Sequence, residues 1–502
     1  MPTPEAPLIL GVSGLRGIVG QSLTPEVAMR FAAAFGTWLW EQHADVTVAV
    51  ARDGRAGGQL IADAAILGLR SAGCDVVYLG TEMTPTVGAY LEDRPIAGAV
   101  IVTASHNPQE WNGLKLLLND GFDGAAAPTA TVSLEIVDAY ADRAFGWERG
   151  MYGTFASDDS AAREHAHAVI GELVTLQREP WSDDPAWADV NAIIGPKAYR
   201  AVVDSVNASG TKGAGLLLDR LGAGSVQLHG RETGIFPHTP EPTKENLSGE
   251  GGLCDAVPGL KADIGFAQDP DADRLAIVDE LGNYIGEEYT LALATESVLS
   301  AGLPAAPNER PQPVLVANLS TSRMIEDVAA AHGARVERTP VGEANVVERM
   351  KRLKAEGHNV VLGGEGNGGV IWPKVTYVRD SLSAMGLTLS LMARTGKTVS
   401  QLVQHINSYS NGGAGYTILK RKTPLAKKED ATPTITKLAE HYKAERTDLQ
   451  DGIRIDFTGE REGSWVHVRA SNTEPIMRLI CESPTETQAT AILTEVEQVI
   501  AS

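Results

Sequence analysis

The sequence predicts an α/β protein: three related domains on mixed sheets, followed by a smaller α+β domain. Three observations predict it. The 502 residues exceed what one core of the usual ~100–150 residues accommodates. A pattern of strand, polar loop, helix, glycine and strand recurs three times, at spacings close to a whole domain. The C-terminal stretch instead carries two alternating runs and one amphipathic helix.

In the first copy, the strand Val46–Val50 ends in Ala51-Arg52-Asp53-Gly54-Arg55. A helical stretch rich in Ala, Ile and Leu leads to Ala72-Gly73 and the strand Asp75–Leu79. The second runs from Ala201–Asp204 through Asn207-Ala208-Ser209-Gly210 and helical Leu216–Leu221, then Gly222 and Ser225–Leu228. The third runs from Val314–Asn318 through Ser320-Thr321-Ser322 and helical Met324–Ala331, then Gly333 and Arg335–Arg338. Glycine after the helix is the usual left-handed stop, and strand–helix–strand order builds a parallel or mixed sheet. In the tail, Ser464–Arg469 and Ile476–Cys481 alternate as an antiparallel pair. Ser483-Pro484-Thr485-Glu486 then reads as N-cap, first-turn proline and capping-box glutamate of a last helix. Gly146–Asp159 and Ser408–Gly415 read as linkers, and Pro304–Pro313 as a loop inside the third unit.

Composition narrows the function. Lys+Arg 43 against Asp+Glu 64 gives a net charge of −21, which argues against nucleic-acid and anionic-membrane partners, since both reward a basic surface. The three cysteines (Cys74, Cys254, Cys481) stand too far apart for a disulfide framework and lack metal spacing. MPTPEAPLIL has neither a basic segment nor a long apolar run, so a cytoplasmic location is expected. Glycine, at 52 residues, exceeds the usual ~7% share, pointing to loops dominated by backbone.

Four loops carry candidate chemistry. Thr103-Ala104-Ser105-His106-Asn107-Pro108 follows the apolar strand Ala97–Val102. Ser105 is either a nucleophile with loop N–H groups beside it or part of a polar turn. No G-x-S-x-G elbow surrounds it, which disfavours a Ser-His-Asp hydrolase. Asp269-Pro270-Asp271-Ala272-Asp273-Arg274 lies between strand-like runs. Alternate carboxylates in a tight turn converge on a hard cation such as Mg²⁺. An EF-hand would need glycine where Arg274 stands and helical flanks. Gly363–Gly369 is neither a Walker loop nor a dinucleotide fingerprint; its Glu365 and Asn367 suit sugar hydroxyls or a solvated turn. Arg469-Ala470-Ser471-Asn472-Thr473-Glu474-Pro475, with Arg478 beyond, suits a phosphate or is a polar hairpin. Together, a hydroxyl nucleophile, a magnesium site, a polyol reader and a phosphate clamp specify phosphoryl transfer on a phosphorylated sugar. A phosphatase with an aspartate nucleophile would need D-x-D-x-T, and Asp273 stands where that threonine belongs.

These four motifs, in this order, resemble those of the α-D-phosphohexomutase superfamily over the whole chain. Gly11–Gly20, Val341-Gly342-Glu343-Ala344-Asn345 and Gly363–Gly369 are most similar to archaeal-type phosphoglucosamine mutases. The resemblance implies four domains around a central cleft. It assigns residues 1–152 to a phosphoserine domain, 153–284 to a metal domain, 285–412 to a sugar domain and 413–502 to a phosphate domain. Ser105 would carry the phosphoryl group, with Mg²⁺ between it and Asp269, Asp271 and Asp273. Lys115 matches the general acid/base, with Arg16, His106 and Arg274 around the transferring phosphate. Glu365 and Asn367 would read sugar hydroxyls, and Arg469, Ser471, Asn472 and Thr473 would hold the other phosphate.

The implied enzyme is an isomerase of carbohydrate metabolism. It converts glucosamine 6-phosphate to glucosamine 1-phosphate with hexose 1,6-bisphosphate as activator, as a monomer or homodimer. Phosphomannomutase/phosphoglucomutase is the alternative, and a non-catalytic sugar-phosphate binding protein the alternative from another class. Pro270 and Ala272 replace glycines common in relatives, and Asn367 stands where many have serine. Glu343 falls where the phosphomannomutase/phosphoglucomutase branch has histidine, so these last two positions bear on the choice of sugar.

Overall fold

The computed structural model describes residues 7–11, 14–121, 124–147, 150, 152–177, 194, 197–301, 311–471 and 475–501. Four sheets divide the chain. The first three share one plan. In the first, Asp75–Thr81, Thr47–Arg52 and Gly98–Val102 lie parallel and Trp111–Asn119 returns antiparallel. Gly224–His229, Arg200–Asp204, Ile264–Gln268 and Leu275–Val278 repeat that order. So do Arg335–Thr339, Pro313–Asn318, Asn359–Glu365 and Gly369–Ile371. The repeat expected from sequence is therefore a repeat of topology. Three of the chemistry-bearing loops occupy one slot in it, the hairpin between third and fourth strands. Each leaves the C-terminal end of a parallel strand, the rim at which open α/β sheets bind ligands.

The first sheet is wider than the others. Gly14–Ile18 adds antiparallel to Trp111–Asn119 and carries Arg16 to the rim. Phe155–Ser157 adds parallel to Asp75–Thr81. That strand lies inside the expected linker 146–159 and beyond the expected boundary at 152, so the first sheet reaches further along the chain. The cause is a local clamp: Thr154 donates both N–H and hydroxyl to Asp75 Oδ1, at 2.6 and 2.7 Å. Below the sheet, helix Pro25–Gln42 packs on helix Gly58–Ser71. A Cβ at Gly68 would stand 2.1 Å from the Met29 carbonyl oxygen, so only glycine permits this approach.

The second and third sheets share one hydrophobic core. Helix Ser381–Thr395 is buried continuously from Ser381 to Met392, and helix Glu287–Ser300 nearly so. A helix buried on every side belongs in an interior, and these two contribute to the core that both domains share. Asp380 caps the first of them, accepting Leu382 N at 2.9 Å and Ser383 N at 3.0 Å. The same carboxylate meets His165 Nε2 at 3.1 Å, whose Nδ1 meets Thr86 Oγ1 at 2.9 Å. This buried relay fixes the residue before the cap, Arg379, against the first domain.

The last sheet is antiparallel, ordered Thr417–Pro424, Ile476–Ser483, Trp465–Ala470, Ile453–Asp456 and Arg446–Asp448, with its own core. The expected cap of the last helix moves by two residues. Ser483 stays in its strand opposite Thr417, and Thr485 caps the helix, its Oγ1 accepting Gln488 N at 3.2 Å.

This fourth domain meets the third through polar contacts. Arg454 Nη1 donates to Leu319 O at 2.6 Å, Glu482 accepts Arg323 N at 3.0 Å, and Ser320 Oγ meets His467 Nδ1 at 2.7 Å. Burial holds His467 down at about 4, against the push of the Asp451 contact. A depressed histidine is neutral in the fold and protonates first in the unfolded chain. Stability from this group is therefore full above pH 6.5 and lost as pH falls toward 4. At pH 5 it lowers stability by about 2 kcal/mol relative to pH 7. His467→Gln should close that gap in calorimetry at the two pH values; an undiminished gap rules His467 out as its source.

Candidate active site

The Ser105 loop is braced from beneath. Asp53, fully buried, accepts Arg55 Nε at 2.8 Å and Thr103 Oγ1 at 2.8 Å. Thr103 Oγ1 accepts Ser105 N at 2.8 Å, and Arg55 Nη2 donates to Ser105 O at 2.5 Å. Ser105 sits at φ +49°, a conformation a non-glycine residue keeps only when its surroundings impose it. The brace supplies that and aims Oγ across the domain boundary, 2.8 Å from Asp269 Oδ2. None of Asp53, Arg55 or Thr103 was singled out by sequence. The signal was present, since Arg52-Asp53-Gly54-Arg55 closes the strand beside the Ser105 strand.

The aspartate loop is buried throughout: Asp269, Asp271 and Asp273 are each 0 % exposed. Asp271 Oδ2 accepts Thr84 Oγ1 at 2.7 Å, and Asp273 Oδ2 takes Lys115 Nζ at 2.8 Å and Arg379 Nη2 at 2.6 Å. Burial, reinforced by Asp271 and Asp273, pushes Asp269 well above the usual carboxylate range. Asp273 goes the other way: burial would raise it, but Arg379, Lys115 and Arg274 hold it well below. Asp271 Oδ1 and Asp273 Oδ1 are buried with no hydrogen-bond partner among the described residues. The three carboxylates offer ligand atoms within 4.8 Å of one another. Buried acceptors without donors, all oxygen, fit a hard divalent cation such as Mg²⁺.

Cations from three elements surround this loop. Lys115 Nζ also lies 3.5 Å from Asp271 and 3.7 Å from Glu343. Burial opposes its charge, yet these carboxylates raise its pKa and keep it an ammonium. Arg16 Nη1 donates to Asn107 Oδ1 at 3.0 Å, and Arg274 Nε stands 4.0 Å from Asp273 Oδ1. His106 Nδ1 is 3.4 Å from Ser105 Oγ. Burial, with Arg274 and Arg16 beside it, holds His106 down at about 3. It therefore stands neutral next to the serine at physiological pH, a hydrogen-bonding rather than a charged neighbour.

On the sugar side, Glu365 Oε1 accepts Asn318 Nδ2 at 2.7 Å and Gly342 N at 3.1 Å. Asn367 Oδ1 accepts Gly369 N at 3.3 Å, which closes the turn. Glu343 Oε1 accepts Arg379 N at 2.8 Å, while its Oε2 lies 3.6 Å from Arg379 Nε. Arg379 is the centre that sequence reasoning missed. Its Nη1 donates to Glu365 at 2.7 Å while Nη2 holds Asp273, so one fork ties the Gly363–Gly369 loop to the aspartate loop.

The phosphate loop is described in part, with Asn472 and Thr473 outside the described residues. Ser471 is buried, its N–H donating to Ile476 O at 2.9 Å. Arg469 pairs with Asp451 at 3.1 Å, and the same Asp451 oxygen accepts Val341 N at 3.1 Å. Arg469 is thus tied to the segment that leads into Glu343. Arg478 and Lys422 lie level with Arg469 on successive neighbouring strands, and Arg478 is exposed.

With this geometry in view, the relatives are informative. Four family models match in chain order: phosphoglucomutase/phosphomannomutase alpha/beta/alpha domain I over residues 7–142, domain II over 188–282, domain III over 287–409 and the C-terminal domain over 421–499. A "Phosphoglucomutase/phosphomannomutase" of Thermococcus kodakarensis is 32% identical, over 96% of each chain. A "Probable phosphoglucosamine mutase" of Methanopyrus kandleri is 31% identical, over 98% of this chain and 97% of that one. The crystal structure of a phosphoglucomutase/phosphomannomutase family protein from Burkholderia thailandensis superposes with a TM-score of 0.76 at 25% identity, covering 98% of this chain and 96% of that one. Fold, order of domains and full-length similarity agree: the chain belongs to the phosphoglucomutase/phosphomannomutase family and is a phosphohexomutase.

Proposed function

We propose that this phosphohexomutase works through phosphoserine at Ser105 and converts glucosamine 6-phosphate to glucosamine 1-phosphate. The observation that carries the reading is the approach of Ser105 Oγ to Asp269 at 2.8 Å, beside two buried carboxylate oxygens without hydrogen-bond partners among the described residues. The phosphoryl group on Ser105 passes to the free hydroxyl of the hexose phosphate; the new P–O bond forms as the bond to Oγ breaks. The proton of the attacking hydroxyl ends on the departing Ser105 Oγ, and Lys115, held as an ammonium by its carboxylate neighbours, donates N–H groups to the reacting hydroxyl oxygen and returns the same help in the reverse direction. The resulting 1,6-bisphosphate turns over and returns its other phosphoryl to Ser105, and free hexose 1,6-bisphosphate primes unphosphorylated enzyme. Asp269, Asp271, Asp273 and the phosphoryl group would hold Mg²⁺, which when bound offsets charge on the transferring group. Arg16 and Arg274 add to that offset from the protein side.

Glu343 supports the amino sugar. Among the described residues its Oε2 faces Arg379 Nε at 3.6 Å and Lys115 Nζ at 3.7 Å, both beyond hydrogen-bond distance, so this buried carboxylate oxygen keeps capacity for the ammonium of glucosamine. The relative from Thermococcus kodakarensis, named for glucose and mannose phosphates, supports the second reading. Glucosamine, mannose and glucose 6-phosphates, assayed side by side with catalytic hexose 1,6-bisphosphate, separate the two. A kcat/KM at least tenfold higher for glucosamine 6-phosphate is expected; a tenfold preference for either neutral sugar overturns the assignment.

Two further outcomes follow from the same reading. Chelator should abolish turnover and Mg²⁺ restore it, and full activity in chelator would refute the metal role of the aspartates. Arg469→Ala should raise KM about ten- to hundredfold, because a charge-assisted phosphate contact contributes about 1.5–3 kcal/mol. A lowered kcat with unchanged KM would show that Arg469 acts only in the transition state.

A further inference from the structure

The second domain holds a polar knot away from the phosphoryl site. Asp204 ends the first strand of its sheet and is 1 % exposed. Its Oδ2 lies 2.9 Å from His229 Nδ1 and 3.0 Å from His238 Nε2, while Oδ1 accepts Val206 N at 3.0 Å. One ligand atom from each of the three residues falls within 4.8 Å of the others. The corresponding strand of the first domain is followed by Asp53, whose buried charge is met by the permanent cation Arg55. Among the described residues no Lys or Arg pairs with Asp204; only the two imidazoles do.

The hydrogen bonds of His238 sharpen this. Its Nδ1 faces Thr239 O at 2.8 Å and its Nε2 faces Asp204, so both ring nitrogens meet acceptors. A neutral imidazole has one N–H. Protonated, His238 donates to both acceptors, which despite burial its neighbour Asp204 favours; neutral, with its N–H given to the carbonyl, it turns the Nε2 lone pair toward the carboxylate, and a metal ion can take the place of the proton between them. A ring anchored through its other nitrogen to a carbonyl is how metal-bound histidines are oriented. We propose that Asp204, His229 and His238 form a second metal site that takes a zinc-class ion, with its remaining position open to water. Zinc about 2.0–2.1 Å from each of three tetrahedrally placed atoms would set them roughly 3.3 Å apart. The contacts of 2.9 and 3.0 Å would open by a few tenths of an ångström, and the two histidine nitrogens, within 4.8 Å of each other, would adjust to the same separation. Two imidazoles and one carboxylate select zinc over magnesium. The histidine side chains keep 25% and 21% accessibility, which leaves an entry path.

Such an ion fixes both ends of the strap between His229 and His238, and the strap touches the Ser105 loop. Gly234 O accepts Ala56 N at 3.0 Å and Gln109 Nε2 at 2.9 Å, and Gln109 Oε1 accepts Phe236 N at 2.8 Å. Gly234, at φ +67°, comes so close that a Cβ would stand 2.0 Å from Gly54 O. Arg55, which holds Ser105 O, lies over the Phe236 ring at 5.2 Å. The site therefore acts as a staple behind the phosphoserine brace.

The test is titration of chelator-treated, full-length protein with Co²⁺ in excess Mg²⁺, which fills the all-oxygen aspartate site. One Co²⁺ per chain with the visible bands of a four-coordinate nitrogen–oxygen site is expected, displaced by Zn²⁺. Loss of an outer partner of a metal ligand already costs 10–100-fold in affinity. His229→Gln and His238→Gln should therefore each weaken Co²⁺ binding by at least about 100-fold. Two variants keep the test usable if one fails to fold, and Zn²⁺ should raise the thermal midpoint of the parent but not theirs. A parent without these bands, or a folded variant that binds Co²⁺ as the parent does, overturns the site.

Discussion

Ser105→Ala is expected to lower turnover by at least about 10⁴-fold, about 5.5 kcal/mol of transition-state stabilisation. It should also remove the single covalent phosphoryl from the intact protein mass. The loss will be chemical. The brace of Asp53, Arg55 and Thr103 grips the backbone N–H and C=O of residue 105, not its hydroxyl. Alanine at φ +49° meets the same backbone restriction as serine. The variant should therefore fold with the parent's melting midpoint and bind hexose phosphate within a few-fold of the parent. Turnover within tenfold of the parent, or one phosphoryl group still on the alanine protein, would place the covalent step elsewhere.

The residues that sequence reasoning found and those it missed differ in one respect. Ser105, the three aspartates and Glu365 each lie in a short run whose composition departs from that of an ordinary turn, directly after an apolar strand. Because the three domains repeat one topology, such runs fall at one rim, and their meeting follows from the fold. Arg379 has no such signature. It is a single arginine before an ordinary helix cap, and its partners Asp273, Glu343 and Glu365 are 106, 36 and 14 residues away. Thr84, which holds Asp271 from 187 residues away, is hidden for the same reason. The linker expected over 146–159 failed through one side chain: a polar, glycine-bearing stretch becomes an edge strand once Asp75 clamps Thr154. The cap shifted from Ser483 to Thr485 because strand pairing with Thr417 outweighed a good local capping sequence.

Arg379→Met is expected to destabilise the metal-free protein by about 3–5 kcal/mol, the cost of removing one partner from a buried ion pair. Arg379 is 8 % exposed, and carboxylates raise its pKa well above the usual value despite burial. Without it, among the described residues Glu365 Oε2 keeps only Asn367 Nδ2 at 3.5 Å, and Asp273 Oδ2 keeps Lys115. The consequence for metal has the opposite sign. Arg379 and a divalent ion both draw on the negative charge of Asp273, so each weakens the hold of the other. In an effective dielectric near 20, a unit charge and a divalent ion within ~8 Å repel by about 4 kcal/mol or more, and after relaxation at least a tenfold gain in Mg²⁺ affinity is expected. Mg²⁺ should accordingly raise the melting midpoint of Arg379→Met more than that of the parent, while turnover falls because the sugar and metal loops lose their tie. Arg379→Lys separates charge from geometry. A lysine restores the competing charge, and with it parental Mg²⁺ affinity, but a single ammonium does not reproduce the fork that spans Asp273 and Glu365. Turnover should stay low in that variant. If Mg²⁺ binds Arg379→Met no more tightly than the parent, Arg379 is not a counter-ion to the metal loop. Full turnover in Arg379→Lys would show that the charge alone, without the fork, suffices to join the two loops.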